Sequence, residues 1–335
     1  MSFLRSGQLP SGQFRTESHA IGKPSALPPQ ESSAFATAHI VHSLEWVNHH
    51  NSAGMMSRGL AHLRRNRVRG ALWRYTNKDG VLHRRTPPDA DDTAFVSDLL
   101  VRLTGEVQPN RRLLLQNRAP NGLFYTWIIP RFQFVTDPRY WWLMLREQNY
   151  ERTFVFWRGS GAVRDDIEPV VNTNVLLYLG NSPETDPVVA YLLRTAEGGQ
   201  EREDKWYNDE HAFYYAVSRC WRRGIKGLDS LKPVMQSRFA ANARPDGRIG
   251  ANELQTALAA CAMLNCGGEQ PLLDGAIRFL LDTQAHDGSW IFQPFYYDGR
   301  TVPLTGWGSR ELTTGFCVEA IARFVDRISP QNTPT

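Results

Sequence analysis

Gln284-Ala285-His286-Asp287-Gly288-Ser289-Trp290 separates two helical patterns, an amphipathic one at 271–283 before it and an apolar one at 311–324 after it. Asp287-Gly288 offers a tight turn, and Trp290 offers a large apolar anchor just beyond it. Loops of the same kind recur at Ser11-Gly12-Gln13-Phe14, Arg69-Gly70-Ala71-Leu72-Trp73 and Asn121-Gly122-Leu123-Phe124. Asp246-Gly247-Arg248-Ile249 and Asp204-Lys205-Trp206 are degenerate copies. A turn and anchor that return along the chain mark an internal repeat.

Around these loops the helical patterns fall into two kinds. Six apolar helices begin near Ser32, Asp92, Val170, Glu210, Asn252 and Arg310, and four of them close at Gly105, Gly180, Gly224 and Gly267. Five amphipathic helices alternate with them, at about 55–65, 108–117, 186–196, 228–241 and 271–283. A helix touched on most sides can be apolar nearly all round, whereas an outer helix needs one apolar face. The pattern therefore predicts an all-α fold, a single (α/α)6 toroid with inner and outer rings, and no stretch demands a strand. Residues 1–30 are expected to be an N-terminal arm, 31–327 the toroid and 328–335 a tail. An aromatic-rich insertion at about 128–166, with Tyr140-Trp141-Trp142, Phe154, Phe156 and Trp157, is expected to cover the core, ahead of a membrane or partner contact. With five outer helices counted, the insertion or the arm must fill the sixth position.

The composition narrows the class further. Lys and Arg number 38 against 34 acidic residues, a net charge of +4 spread along the chain, which argues against a dedicated nucleic-acid binder. Cys220, Cys261, Cys266 and Cys317 lie in apolar helical segments without paired metal-ligand spacing, so buried thiols in a reducing compartment are expected. No apolar run approaches the roughly 18 residues of a membrane span, and the first residues are polar, so a cytoplasmic location is expected.

The chemistry is expected at Pro87-Pro88-Asp89-Ala90-Asp91-Asp92-Thr93-Ala94-Phe95, where a rigid entry meets the start of an apolar helix. One Asp is enough to cap that helix. Three crowded carboxylates cannot all ionise cheaply, so at least one should stay protonated near neutral pH, although the helix N-terminus opposes this. The expected split leaves Asp89 and Asp92 ionised and makes Asp91 the proton donor.

Two of these stretches together resemble a known family. Gln284 to Trp290 looks like the repeat of squalene-hopene and oxidosqualene cyclases, and Asp89-Ala90-Asp91-Asp92-Thr93-Ala94 looks like the DxDDTA motif of class II terpene cyclases. The resemblance implies that Asp91 protonates an isoprenoid double bond or epoxide and starts a carbocation cyclisation, with Asp89 and Asp92 as its neighbours. It also implies a partner for Asp91 on the next inner helix, and Asn174 falls at that position. A cation cascade needs dry walls with π faces. The candidates are Trp73, Tyr75, Phe124, Trp127, Tyr214, Tyr215, Phe295, Tyr296, Tyr297 and Trp307, with the run from Phe292 to Tyr297 placed first. Larger members set the cavity between two barrels, and this chain has residues for one. The site must then lie within one ring, be closed by the insertion, or be completed by a second copy in a homo-oligomer.

The expected substrate is a small isoprenoid or prenylated molecule. No cofactor is expected, and Mg²⁺ would enter only with a diphosphate substrate, whose head group Arg69, Arg74, Arg84 or Arg85 could meet. The alternatives are a zinc-dependent prenyltransferase subunit, a glycan-processing α/α barrel using paired carboxylates, and a non-catalytic toroid that binds a lipid or a protein.

Overall fold

The computed structural model describes residues 1–21, 30–80, 82–131, 138–147, 154, 156–158, 160–297 and 304–328. Part of the N-terminal arm, part of the insertion and the tail from 329 onward lie outside these residues. The fold is an (α/α)6 toroid. Its inner ring consists of α2 (Ala34–Leu44), α4 (Ala90–Thr104), α7 (Pro169–Leu179), α9 (Glu210–Arg222), α11 (Glu253–Cys266) and α13 (Arg310–Ile328). Each packs on the next, and α13 returns to α2 to close the ring.

Burial separates the two rings as the pattern requires. Every residue of α2 is buried, because it meets neighbours on all sides. The outer helix α12 (Gln270–Asp282) buries Leu273, Ala276, Ile277 and Leu280, one stripe at helical spacing. The other outer helices are α3 (Ser52–Asn66), the short α5 (Arg111–Gln116), α8 (Asp186–Glu197) and α10 (Leu231–Asn242). The sixth outer position is taken at the N-terminus. There α1 (Ser2–Gly7) packs on α13 and buries Leu4 completely. The expectation of an extended arm over 1–30 misses this helix, which is too short to show a period.

The repeat loops share one construction. In the loops ending at Gln13, Leu123, Arg248 and Ser289, a residue at the turn start donates to the carbonyl four residues on, and the turn glycine donates back. Examples are Ala119 N to Leu123 O (2.7 Å) with Gly122 N to Ala119 O (2.9 Å), and Ala285 N to Ser289 O (2.9 Å) with Gly288 N to Ala285 O (2.8 Å). Gly122 and Gly288 hold φ of 82° and 81°, a left-handed conformation that a Cβ would strain. The residue after the turn then donates its backbone N–H to a side chain in the first turns of an inner helix. The pairs are Phe14 to Thr37 (2.9 Å), Trp73 to Thr93 (3.0 Å), Phe124 to Asn172 (2.8 Å), Ile249 to Thr256 (3.1 Å) and Trp290 to Thr314 (3.2 Å). Both tryptophans also donate from the indole to the outer helix ten residues earlier, Trp73 to Leu63 O (2.9 Å) and Trp290 to Leu280 O (2.8 Å). Each loop thus ties one outer helix to one inner helix.

Strands are present where none was expected. Among the described residues four short ones, β1 (Thr16–Ala20), β2 (Gln30–Glu31), β3 (Pro294–Tyr297) and β4 (Thr305–Gly308), form an antiparallel sheet in the order β2-β1-β4-β3. Their length and their Gly and Pro content leave no alternation to read, and β1 finds β4 only through the closed ring. In the insertion, α6 (Pro138–Glu147) buries Tyr140, whose hydroxyl donates to Ile129 O at 2.6 Å, while Trp142 and Phe154 are exposed. The four cysteines are free, three of them buried. Among the described residues no helix is long and apolar enough to cross a membrane.

The loop-to-helix clamp gives a stability test remote from the carboxylates. Thr314→Val keeps the side-chain shape but leaves the buried Trp290 N–H without its acceptor. It should lower unfolding free energy by about 1–3 kcal/mol in denaturant titration, and an unchanged midpoint would contradict the clamp.

Candidate active site

The Asp cluster is held by backbone before side chains matter. Asp89 N donates to Trp73 O (3.2 Å), Ala90 N to Thr126 O (2.7 Å) and Ile128 N to Pro88 O (2.9 Å). The entry to α4 is therefore wedged between two repeat loops. Asp89 is the N-cap and accepts from Asp92 N at 2.7 Å. Capping and crowding coexist: all three carboxyl groups are buried.

Asp91 stands apart in its partners. Asn174 Nδ2 donates to its Oδ1 and the Tyr207 hydroxyl donates to its Oδ2, each at 2.5 Å. Behind Asn174, Arg219 Nη2 donates to the amide oxygen at 2.6 Å. A guanidinium can only donate, so the amide oxygen must face Arg219 and the NH₂ must face Asp91. Arg219 is itself set between rings, with its guanidinium carbon 4.9 Å from the Phe95 centroid and 5.0 Å from that of Tyr215. Tyr207 is fixed through Asp204, whose carboxylate accepts from Val170, Trp206 and Tyr207 N–H groups, all at 2.9 Å.

Burial governs the protonation of this cluster. It raises Asp91 above the usual carboxylate range, an effect opposed by the bonds from Tyr207 and Asn174 and by the Arg219 charge. Burial and the Asp91 charge push Asp89 up to about 7. Asp92 is held well above its ordinary value by burial and by the Asp89 and Asp91 charges. The expected split, with an ionised flanking pair around a protonated Asp91, is therefore not what the environment favours. Among the described residues Asp92 has no cation or donor that offsets its burial, whereas Asp91 has three. Nearby, Asp204 is pushed up to about 7, chiefly by burial, and Glu168 to about 8 by burial and the Asp204 charge.

The three carboxyls line a cavity of about 320 Å³ at the N-terminal mouth of the inner ring. Of the expected wall residues, Tyr75, Trp127, Tyr296, Tyr297 and Trp307 line it. The Tyr75 and Tyr296 hydroxyls bond at 2.7 Å, and the Tyr296 ring stacks on Trp307 at 5.9 Å. Phe295 lies behind this wall, packed on Phe35, His39, Tyr207 and Phe316. The other four expected wall residues do not line it. Trp73 and Phe124 are completely buried core anchors of the repeat loops, Tyr214 donates to Glu201 at 2.7 Å, and Tyr215 donates to Glu319 at 3.1 Å.

Several lining residues were not among the expected ones. Phe35, Trp206, Tyr207, Thr126 and Val171 all face the cavity. Tyr207 had one available signal, its place at the entry to an inner helix like the Asp cluster. Arg219 had another, as a charge set among the apolar positions Ala216, Val217, Cys220 and Trp221 of an inner helix. The insertion contributes Phe156 and Ser160. Arg85 stands at the cavity rim, exposed, whereas Arg74 is buried and spends its guanidinium on the His83 and Thr86 carbonyls. Among the described residues no group of three His, Cys, Asp or Glu side chains could hold a metal ion.

No protein-family model and no curated protein matches the chain. Solved structures do. A protein from Actinoplanes is 19% identical with a TM-score of 0.69, covering 96% of each chain. The type II terpene cyclase MstE from Scytonema is 15% identical with a TM-score of 0.68, covering 98% of this chain and 96% of that one. The ent-copalyl diphosphate synthase from Streptomyces platensis matches over 87% of this chain but half of its own, with 16% identity and a TM-score of 0.52. An unsaturated glucuronyl hydrolase specific for heparin also aligns, at 12% identity and a TM-score of 0.53 over 99% of this chain and 96% of that one. The chain shares the toroid of type II terpene cyclases and of that hydrolase.

The raised Asp89 value fixes a sign for pH dependence. Between about 4 and 7 the folded chain keeps a proton on Asp89 that the unfolded chain releases, so this group lowers stability as pH rises through that window. Asp89→Asn preserves a good cap and removes the titration. The variant should match wild type near pH 4 and exceed its unfolding free energy near pH 8 by an amount on the order of a few kcal/mol. Equal pH slopes for the two proteins would refute the raised value.

Proposed function

We propose that this chain is a terpenoid or meroterpenoid cyclase that starts cyclisation by protonation from Asp91. The observation that carries the reading is a buried carboxyl, held by Asn174 and Tyr207, at the wall of a cavity made largely of aromatic rings. Asn174 can only donate to Oδ1, whereas a phenol can donate or accept, so a proton on Asp91 is best carried by Oδ2 beside Tyr207. Transfer of that proton to an alkene carbon leaves a cation on the adjacent carbon, and the next double bond closes a ring onto it. With an epoxide the proton goes to oxygen and the C–O bond opens. Loss of a proton at the end makes the whole reaction an isomerisation.

The walls suit such a path. Tyr296, Tyr297, Trp307, Trp127 and Phe35 offer π faces to a cation and exclude water that would quench it. MstE has been solved in complex with geranylgeranyl dihydroxybenzoate, and a prenylated aromatic of that kind would place its chain among the rings and its head group near Arg85. Mg²⁺ enters this reading only with a diphosphate head group. The aromatic walls favour a prenyl chain over the sugar of the glucuronyl hydrolase. One ring is sufficient, because the sheet and the insertion supply the walls that a second barrel would give.

Incubation in D₂O with prenylated aromatic acids and linear prenyl diphosphates tests the proposal. It expects a cyclised product carrying one solvent deuterium at the protonated carbon. Asp91→Asn should cut turnover by roughly a hundredfold or more with its circular dichroism spectrum unchanged. A variant as active as wild type on a proven substrate would end the proposal.

A further inference from the structure

The inner helices end at the opposite mouth of the ring, around a second cavity of about 200 Å³ that no part of the proposed reaction uses. Five arginines line it: Arg102, Arg219, Arg222, Arg223 and Arg323. Three are answered by carboxylates. Arg102 pairs with Asp98 (2.9 Å) and Glu45 (2.5 Å), Arg223 with Asp98 (2.8 Å), and Arg323 with Glu319 (3.1 Å). Arg219 and Arg222 have no carboxylate within ion-pair distance among the described residues. His42 adds no charge, since burial and Arg102 hold its pKa well below the ordinary value. Five guanidinium groups face three carboxylates here, so Arg219 and Arg222 lack a counter-charge at this mouth.

The donors are unmatched as well as the charge. Arg219 is only 5% exposed, yet among the described residues its Nε and Nη1 meet no acceptor, and neither does the Trp46 indole Nε1 on the same wall. Trp46 is held face-on by Arg222, 3.6 Å from its centroid, and by Arg323 at 4.6 Å. Six helix C-termini meet at this mouth, and their partial negative charge explains why arginine is favoured there. It does not explain buried N–H groups that point at no oxygen, which cost free energy unless a partner fills the space. An acceptor placed among these N–H groups would satisfy them, and the local excess of guanidinium charge favours an anion over a neutral acceptor.

We propose that this cavity is a binding site for a compact oxyanion, a phosphate or carboxylate group, held by Arg219, Arg222 and the Trp46 N–H. Phosphate and carboxylate both present the multiple oxygens that guanidinium forks recognise. The site is separate from the aromatic cavity and joined to it by one residue, since Arg219 also donates to Asn174.

Calorimetric titration of the full chain with inorganic phosphate, and separately with acetate, at an ionic strength held constant by chloride, tests this directly. Saturable binding of one equivalent of either anion is expected, and the arm that binds identifies the group. Arg222→Gln removes one charge that lacks a local carboxylate, at an exposed position. Trp46→Phe keeps the ring face but removes the N–H. Each should weaken the dissociation constant by about tenfold while circular dichroism remains native, and either variant alone suffices should the other misfold. Heats no different from chloride, or wild-type affinity in folded variants, would overturn the proposal. Because binding is read without turnover, its failure would leave the cyclase proposal standing, and a failed cyclase assay would leave this site standing.

Discussion

The bond between a loop N–H and the first turns of the following inner helix is the constraint on which the rest depends. An apolar inner helix has no preferred rotation of its own, because every face can be buried. The hydrogen bonds from Phe14, Trp73, Phe124, Ile249 and Trp290 to Thr37, Thr93, Asn172, Thr256 and Thr314 fix that rotation and tie it to an outer helix. At α4 the clamp residue is Thr93, two positions after Asp91. The direction in which Asp91 points is thus set by the same bond that builds the ring, and at α7 the clamp residue Asn172 lies two positions before Asn174.

This coupling explains how a polar cluster survives in a buried place. Desolvation alone would neutralise all three aspartates. Asp91 escapes part of that cost because α7, α9 and the loop before α9 bring a donor amide, a guanidinium and a donor phenol to it. Asp89 accepts only its capping bonds, which do not offset its burial and the Asp91 charge, and Asp92 has no lowering partner among the described residues, so both lean toward the protonated state. Neutral neighbours lower the repulsion that an ionised Asp91 would feel after giving up a proton, so the triad can hold one mobile charge without disrupting the fold.

What could be read in advance was what is local. Glycine turns followed by an apolar anchor, the carboxylates at a helix start and the contrast between two helix types are all written within a few residues, and they fixed the toroid. Asn174 was reachable only through resemblance. Tyr207 offered only its place at the entry to an inner helix, since its contact with Asp91 spans 116 positions and that place does not single out a phenol. The aromatic candidates divided for the same reason. Trp73 and Phe124 serve as loop anchors and Trp307 as a wall, yet each is simply a large ring in the sequence. The sheet was hidden because Ser18 pairs with Trp307 and no short-range pattern encodes that register.

The two mouths of the ring follow from the parallel direction of its six inner helices. Their N-termini gather at one end and their C-termini at the other, so the ends differ in field before any side chain is chosen. Carboxylates are tolerated at the first end because N-terminal dipoles favour negative charge, and arginines at the second because C-terminal dipoles favour positive charge. Arg219 bridges these two regimes: it sits in the C-terminal half of α9, and through Asn174 its charge reaches the carboxylate at the opposite end. A neutral residue at 219 would leave Asn174 free to turn its amide and would strip Asp91 of the positive field that offsets its burial. The acidity of the site is therefore a property of the whole ring, carried along its axis by one buried cation.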